Sequence, residues 1–525
     1  MHIRDSFVRL IMTHGYMLFG TGSNVYVQNL CRGLVREGHD LHLLCQEREP
    51  LAYDFISECS TVNGDDIERQ DGQETSYPGR CAVYRPEIGE LLPVYVYDDY
   101  PGWRVKTFLD LADEEFESYV ERNVRAVRAV LEASDAEAVV TNHSVPGPLI
   151  SRHALDGTGV PYLSIVHGSC LHYVARKSEK YMRATREGLE GAKRILALSS
   201  HSAGTIAEDF PDMEEKTSAL PGGVDTDLFR PDALDLLSLE GLRGGPGRGP
   251  EQDAALREAL DHSEDEEELA GALRSVAESY DARSHDRDIG ERLETFLEED
   301  APLAIYVGKL IHSKGVHSLL AAFARVGRGT GARLLVVGFG TFREGLQALV
   351  HALSTGDEKT VEMLTKLGRL LEGGPAEPLE HFELSEDLLL EARGLEDSVE
   401  FVGPLYHEAL AKLLPAADVG VVPSIFPETF GLVAAELAAS GVVPFVADHS
   451  GLREAGEIIG RGLPLDLRVG MDGFEDNLAL ALTDYLQLPE DERCRCGEIV
   501  RSNSVEHLSW ETLAERLVEL VGEKG

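Results

Sequence analysis

Lysine is scarce in this 525-residue chain, and the stretch from 232 to 300 has none. Acids outnumber bases 92 to 49, for a formal net charge of −43. A surface of that sign gives no general attraction to nucleic acid or anionic lipid, both of which need basic side chains. No stretch reaches the roughly 18 uncharged apolar residues of a membrane-spanning helix. The seven cysteines are an odd number in a long chain, which argues against a disulfide framework. Cys31 and Cys45 sit in apolar runs and read as core, while Cys494 and Cys496 lack a second close pair to complete a zinc site. Met1 to Arg9 carries Arg4, Asp5 and Arg9 and runs straight into a strand-like segment. That leaves no room for a secretory signal, so a cytoplasmic location is the default expectation.

What the chain does have is length and a repeated α/β rhythm. A chain of 525 residues exceeds one hydrophobic core. Val8 to Thr13 is an apolar run of strand length, followed by a turn-rich segment and then a helical pattern, with Val27, Leu30, Cys31, Leu34 and Val35 on one face. Ser23 is placed to cap that helix and Gly38 to end it. Leu41 to Cys45 supplies the next strand, and strand, helix, strand with short connections predicts a parallel, doubly wound sheet. Further strands are expected at Ala138–Thr141, Tyr162–Val166 and Ile195–Leu198. The alternation restarts with strand Leu303–Val307, helix Val316–Val326 and strand Arg333–Val337. It continues with strand Val399–Val402, helix His407–Leu414, strand Val419–Val422, helix Phe430–Ala439 and strand Val442–Val446. The fold class expected is α/β, with two tandem Rossmann-like domains: 1–220, a linker at 221–231, and 301–505. A last helix in 506–525 shows Leu513, Leu517, Leu520 and Val521 on one face and needs an apolar partner.

Two acidic stretches interrupt the rhythm. Residues 232–300 hold 21 acids against 7 arginines, and residues 355–397 hold 12 acids against 4 bases. Both read as insertions with solvated surface. Gly241 to Pro250 reads as a flexible loop, and Glu264–Leu273 and Ile289–Leu297 as short exposed helices.

Four features carry chemistry. Gly20-Thr21-Gly22-Ser23-Asn24 lies between a strand and a helix, where backbone N–H groups and the helix dipole favour an anion, although tight-turn glycines read equally well. Lys309 and Lys314, two of the few lysines, stand five residues apart where a strand feeds a helix, suited to compensating a diphosphate leaving group. Glu428 precedes a helix start and Glu436 follows eight residues on; paired carboxylate acceptors suit vicinal hydroxyls. Glu428 alone reads equally as a helix cap, whereas Glu436 lies in an apolar helix and needs a partner. His167, in Val166-His167-Gly168, ends a buried-looking strand, where ligand sites of open α/β sheets cluster.

Together, the Gly-rich loop, Val166-His167-Gly168, the Pro-Gly-Gly-Val-Asp-Thr-Asp-Leu-Phe segment, Val307-Gly308 with Lys314-Gly315, and Glu428-x7-Glu436 resemble family 4 of the retaining glycosyltransferases, the glycosyl transferases group 1. The resemblance implies the GT-B fold, two Rossmann-like domains with the donor in the interdomain cleft. It implies that Lys309 and Lys314 contact the diphosphate of a UDP-, GDP- or ADP-sugar, with Gly20 and Gly22 also on the donor. It places Glu428 at the sugar hydroxyls, Glu436 at the ribose, the amides of Phe430, Gly431 and Leu432 at the phosphate, and His167 beside the transferred sugar. The family often has Arg where Lys309 stands, so a forked contact becomes a point charge. The final helix is implied to return to the N-terminal domain. Transfer with retention follows from the resemblance, and the residues ask for no metal or permanently bound cofactor.

The acceptor, whether small molecule, glycan or lipid-linked, is expected on the N-terminal domain, with His14, Asn24, Tyr173, Arg176 and Lys177 as candidates. The stretch Arg176–Arg194 has seven bases against three acids, suited to an anionic acceptor or, more simply, a solvated helix face. Two alternatives stay open: an epimerase or phosphorylase of the same architecture, and a non-catalytic binding protein that keeps the fold.

Overall fold

The computed structural model describes residues 7–20, 22–96, 100, 102–232, 247–277, 285–297 and 301–523. The chain divides into two units. The first is Met1–Gly223 with His507–Gly525, and the second is Val224–Glu506.

Strands of the first unit are β1 (Arg9–Thr13), β2 (Asp40–Leu44), β3 (Glu58–Asn63), β4 (Asp66–Gly72), β5 (Arg80–Pro86), β6 (Leu91–Val94), β7 (Arg104–Thr107), β8 (Ala138–Asn142), β9 (Tyr162–Val166), β10 (Arg194–Ala197) and β11 (Thr217–Ala219). Among the described residues nine of them form one sheet in the order β11-β10-β9-β8-β1-β2-β5-β3-β4, parallel except for the β3–β4 edge pair. β6 and β7 pair separately. β8 and β9 are buried along their whole length because helices cover both faces, which is why they read as unbroken apolar runs. The strand order reverses between β1 and β8, and ligand crevices open at the carboxyl ends of strands at such a point.

The helix Gly22–Arg36 buries Val27, Leu30, Cys31, Leu34 and Val35. Ser23 lies inside its first turn and not at its cap, because the helix already begins at Gly22. Gly38 turns the chain away at φ 89°, a conformation that glycine adopts without a Cβ clash. The last helix, Trp510–Gly522, packs on Gly22–Arg36: the Trp510 ring meets Tyr26 edge-on at 5.1 Å, and Arg36 pairs with Glu511 at 2.9 Å. Gly33 is required there, since a Cβ would fall 2.7 Å from the Trp510 carbonyl oxygen.

The second unit contains β12 (Leu303–Val307), β13 (Arg333–Val337), β14 (Val399–Gly403), β15 (Val419–Val422), β16 (Val443–Ala447) and β17 (Arg468–Val469). They form a parallel sheet in the order β14-β13-β12-β15-β16-β17, whose switch point lies between β12 and β15. The segment after Gly223 is anchored: Asp225 Oδ1 accepts from the amides of Asp227 and Leu228, Phe229 is buried, and Arg501 donates to the Thr226 carbonyl at 2.9 Å.

The acidic stretches are not merely solvated surface. Residues 241–246 of the expected loop lie outside the described residues, but Pro250–His262, Glu266–Val276 and Ile289–Leu297 are helices that bury Leu256, Leu269, Leu273, Ile289, Leu293 and Phe296. The expectation of exposed helices is therefore corrected: each has an apolar face as well as its acids. Asp286 and Arg343, each 1% exposed, pair at 2.7 Å, and Arg248 pairs with Glu344 at 2.8 Å. Buried pairs of this kind tie the insertion to the helix Arg343–Thr355 and are costly to break from one side. In the second stretch, Glu358–Leu367 and Glu386–Glu391 are helical, and Glu372 accepts a hydrogen bond from the backbone N–H of His312 at 2.8 Å.

Candidate functional site

In the second unit, two loops leave the switch point side by side. The first, after β12, carries Lys309 and ends in a short 3-10 turn, His312–Lys314. Gly315 then adopts φ 66° and begins the helix Val316–Thr330. A Cβ on Gly315 would lie 2.1 Å from the Pro423 carbonyl oxygen, so glycine is what lets this loop press against the one after β15. The Ile425 amide donates to the Ser313 carbonyl at 3.0 Å and joins the two loops.

That approach brings Lys314 to Glu428. The Lys314 ammonium pairs with Glu428 Oε1, and Ser424 Oγ donates to the same oxygen at 2.7 Å. The Glu428 backbone is held as well: its N–H donates to Ser450 Oγ at 2.9 Å, and its carbonyl accepts from the Gly451 amide at 2.9 Å. His449 completes this support. Its Nε2 faces the Ser424 carbonyl at 2.6 Å and so carries the proton, which leaves Nδ1 to accept from Ser450 Oγ at 2.9 Å. Glu428 is not a helix cap: the following helix is Leu432–Ala439 and its N-cap is Gly431, at φ 101°. The expected start at Phe430 is corrected for the same reason, because a residue in that conformation cannot belong to a right-handed helix. The Phe430 side chain is buried.

The first amides of Leu432–Ala439 have no partner within the helix, so its start presents donors suited to an anion. Glu436, about one turn in, has a side chain only 13% exposed and lies 3.4 Å from His407 Nε2. Burial raises its pKa, and His407 acts against that shift. Lys309 is exposed and its carbonyl accepts from the Tyr306 hydroxyl at 2.9 Å. The second unit thus groups Lys309, Lys314, Glu428, Gly431, Leu432 and Glu436 on β12, β15 and their following loops and helices.

In the first unit, His167 follows β9 and is buried. Its Nε2 donates to Asn142 Oδ1 at 3.0 Å, and the Asn142 Nδ2 donates to the Thr13 carbonyl at 3.1 Å. Burial pushes the His167 pKa down to about 3, so it is a neutral hydrogen-bonding group. His14 is likewise buried, pushed down to about 4, and its Nε2 donates to Asn24 Oδ1 at 2.9 Å. Asn24 is 0% exposed and also donates to the Phe19 carbonyl at 2.6 Å. The structure therefore corrects its candidate role: it shapes the loop and does not face a ligand. In the Gly-rich loop, Gly20 is exposed at φ 96°, Gly22 opens the helix, and Thr21 lies outside the described residues. The neighbouring Leu18 amide is taken by buried Glu47 at 3.1 Å.

Tyr173 is 49% exposed, and Lys177 is exposed. Arg176 makes a paired contact with Asp209, at 2.8 and 3.1 Å. Lys180 pairs with Asp113, Arg186 with Asp212 and Arg194 with Glu523. The basic stretch is largely neutralised within the unit, which favours the helix-face reading over capture of an anion. Sequence reasoning missed Ser424, His449 and Ser450, and also His143, which sits beside His167 at a centroid distance of 4.7 Å. The usable signal was position: Asn142-His143 ends β8 and Asp448-His449-Ser450 follows β16.

Among solved structures, sucrose-phosphate synthase from Thermosynechococcus elongatus matches 98% of this chain and 98% of its own, with a TM-score of 0.54 and 20% identity. This places the chain in the class of two-domain GT-B proteins. The model of the glycosyl transferase 4-like domain matches residues 21–223, and that of the glycosyl transferases group 1 matches residues 380–498. The chain belongs to the group 1 glycosyltransferases of GT-B type. It is similar to the MMP alpha-(1->4)-mannosyltransferase of Mycolicibacterium hassiacum, 24% identical over 522 residues that cover 95% of this chain and 93% of that protein. It is also similar to the D-inositol 3-phosphate glycosyltransferase of Corynebacterium urealyticum, 34% identical over 181 residues. That match covers 34% of this chain and spans about two fifths (39%) of the corynebacterial protein. Among the described residues, no helix is long and apolar enough to cross a membrane.

Proposed function

We propose that the second unit binds a nucleoside-diphosphate sugar and that the chain transfers the glycosyl group, with retention of anomeric configuration, to an acceptor held by the first unit. The observation that carries this reading is the Lys314–Glu428 pair at the β12/β15 switch point, set beside the start of Leu432–Ala439. An ammonium, a second lysine and helix amides answer the charge of a diphosphate; a carboxylate beside them answers sugar hydroxyls. Glu436, largely withdrawn from solvent, answers the ribose hydroxyls.

In this reading the bond between C1 of the sugar and the β-phosphate oxygen breaks, and Lys309, Lys314 and the amides of Gly431 and Leu432 stabilise the charge gathering on the leaving oxygen. The acceptor oxygen bonds to C1 on the face the phosphate leaves, and the acceptor proton passes to a phosphate oxygen. His167, neutral, contributes a hydrogen-bonding group and no charge. The named relatives act on mannosyl and inositol-phosphate substrates, which supports a carbohydrate or polyol acceptor.

Incubation with UDP-, GDP- and ADP-sugars, with and without polyol and sugar acceptors, tests the reading. Acceptor-dependent release of nucleoside diphosphate is expected, with the donor's anomeric configuration kept in the product by NMR. Nucleotide binding without acceptor-dependent release, or glycan cleavage driven by inorganic phosphate, would overturn it.

A further inference from the structure

Within the first unit, the loops that leave β1 and β8 border a cavity that opens to solvent. His14, Tyr16, Gln46, Tyr95, Tyr119 and His143 contribute its polar lining, and among the described residues lining it there is no Lys, Arg, Asp or Glu. Buried polar atoms of this lining that have no hydrogen-bond partner include both ring nitrogens of His143 and Oε1 of Gln46, each residue being 2% exposed. Gln46 is held at its other end, where Nε2 donates to the Pro86 carbonyl at 3.1 Å. His143 is fixed by its backbone at φ 70° and by packing against Tyr95, at a centroid distance of 4.5 Å. A non-glycine residue in that conformation, at the end of a switch-point strand, is strained in the way binding sites often are.

Buried polar atoms are nearly always paired, so these orphans on one cavity wall call for a partner. Burial keeps the His143 ring neutral. A neutral imidazole offers one donor and one acceptor whichever nitrogen holds the proton, and Gln46 Oε1 adds an acceptor. We propose that this cavity binds a neutral polyhydroxylated ligand, the hydroxyl-bearing end of the acceptor, an inference that rests on the glycosyl-transfer reading. A hydroxyl donates and accepts at once, so adjacent hydroxyls satisfy both the ring and the amide. A phosphate group does not: it would find no cation on this wall, and its oxygens would face the Gln46 carbonyl acceptor to acceptor.

Calorimetric titration of the full chain with myo-inositol, glucose and glycerol, and with their phosphate esters, tests the assignment, with UDP, GDP and ADP titrated in parallel. A neutral polyol is expected to bind, and its ester at least tenfold more weakly. Gln46→Leu and His143→Asn are each expected to weaken polyol binding tenfold or more while leaving nucleotide binding unchanged; asparagine tolerates the left-handed backbone. Tyr119→Phe deletes one hydroxyl from the same wall, with little risk to folding, and is expected to weaken the polyol about fivefold. The proposal is overturned if polyol binding ignores all three variants, if an ester binds as tightly as its parent, or if a chain that binds nucleotide takes no polyol, the cavity then holding water only. Polyol binding sensitive to these variants, in a chain that binds no nucleotide, would support the cavity and sink the transfer reading.

Discussion

Lys314 and Glu428 hold each other across two loops that only Gly315 allows to touch. The same ammonium is the proposed diphosphate contact, so the carboxylate and the nucleotide share one cation. Lys314→Met is expected to weaken nucleoside-diphosphate binding by about 1.5–3 kcal/mol, the range for a hydrogen bond to a charged group. Glu428→Gln is expected to leave that affinity unchanged or improved, because Lys314 is released, while saturated turnover falls as the sugar loses its orienting acceptor. Calorimetry and turnover on the folded variants separate the two. Equal loss of nucleotide affinity in both would refute the division of roles.

Gly315→Ala should act on the same site through the backbone. The added Cβ meets the Pro423 carbonyl and forces a non-glycine residue to φ 66°. A stability loss of about 1–3 kcal/mol is expected from the conformation alone, more if the loops cannot separate. Nucleotide affinity should fall with it, even though no ligand-facing side chain has changed. An unaltered affinity in the alanine variant would show that the loop approach is not what positions Lys314.

Glu436 ties stability to pH. Burial raises its folded pKa above the ordinary carboxylate value of 4.5, so its contribution to stability is present below that value and is lost as pH rises through the folded pKa. Glu436→Gln cannot ionise and escapes that loss. Its melting temperature relative to the parent is therefore expected to rise from pH 4 toward pH 7, while its affinity for nucleoside diphosphate falls. A parallel pair of pH–stability curves would show that Glu436 is not desolvated in solution.

Asp286 neutralises a guanidinium buried from solvent. Asp286→Ala should destabilise the second unit by about 3–5 kcal/mol in urea unfolding, the cost of removing one partner of a buried ion pair. Replacing both partners, Asp286→Leu with Arg343→Met, should restore most of it. Deleting 239–297 is accordingly expected to unfold the second unit, not to trim a dispensable surface. A deletion variant that still binds nucleotide would contradict this.

Strands β12, β13 and β15 were legible in the sequence because strands buried on both faces must be apolar throughout. Lys314, Glu428 and Glu436 stood out because charges at strand ends, or inside apolar helices, need a reason to be there. Other features depended on tertiary contacts. Asn24 carries the same polar side chain whether it faces a ligand or bonds to His14, and only packing separates the two. The insertion misled through composition: exposed acids such as Glu266, Glu267 and Glu268 mark one face of helices whose other face, with Leu269, Leu293 and Phe296, is core. His143 was hidden because no spacing rule marks a left-handed residue.

The return of Trp510–Gly522 to the helix Gly22–Arg36 has a consequence for biosynthesis. The first unit cannot close while the ribosome is still making the second, about 280 residues long. At about 5–20 residues per second the nascent chain waits roughly 15–60 s with the surface around Tyr26 and Gly33 uncovered. Its final helix emerges only after the whole second unit, so the first unit begins folding before the second and finishes after the second has been made.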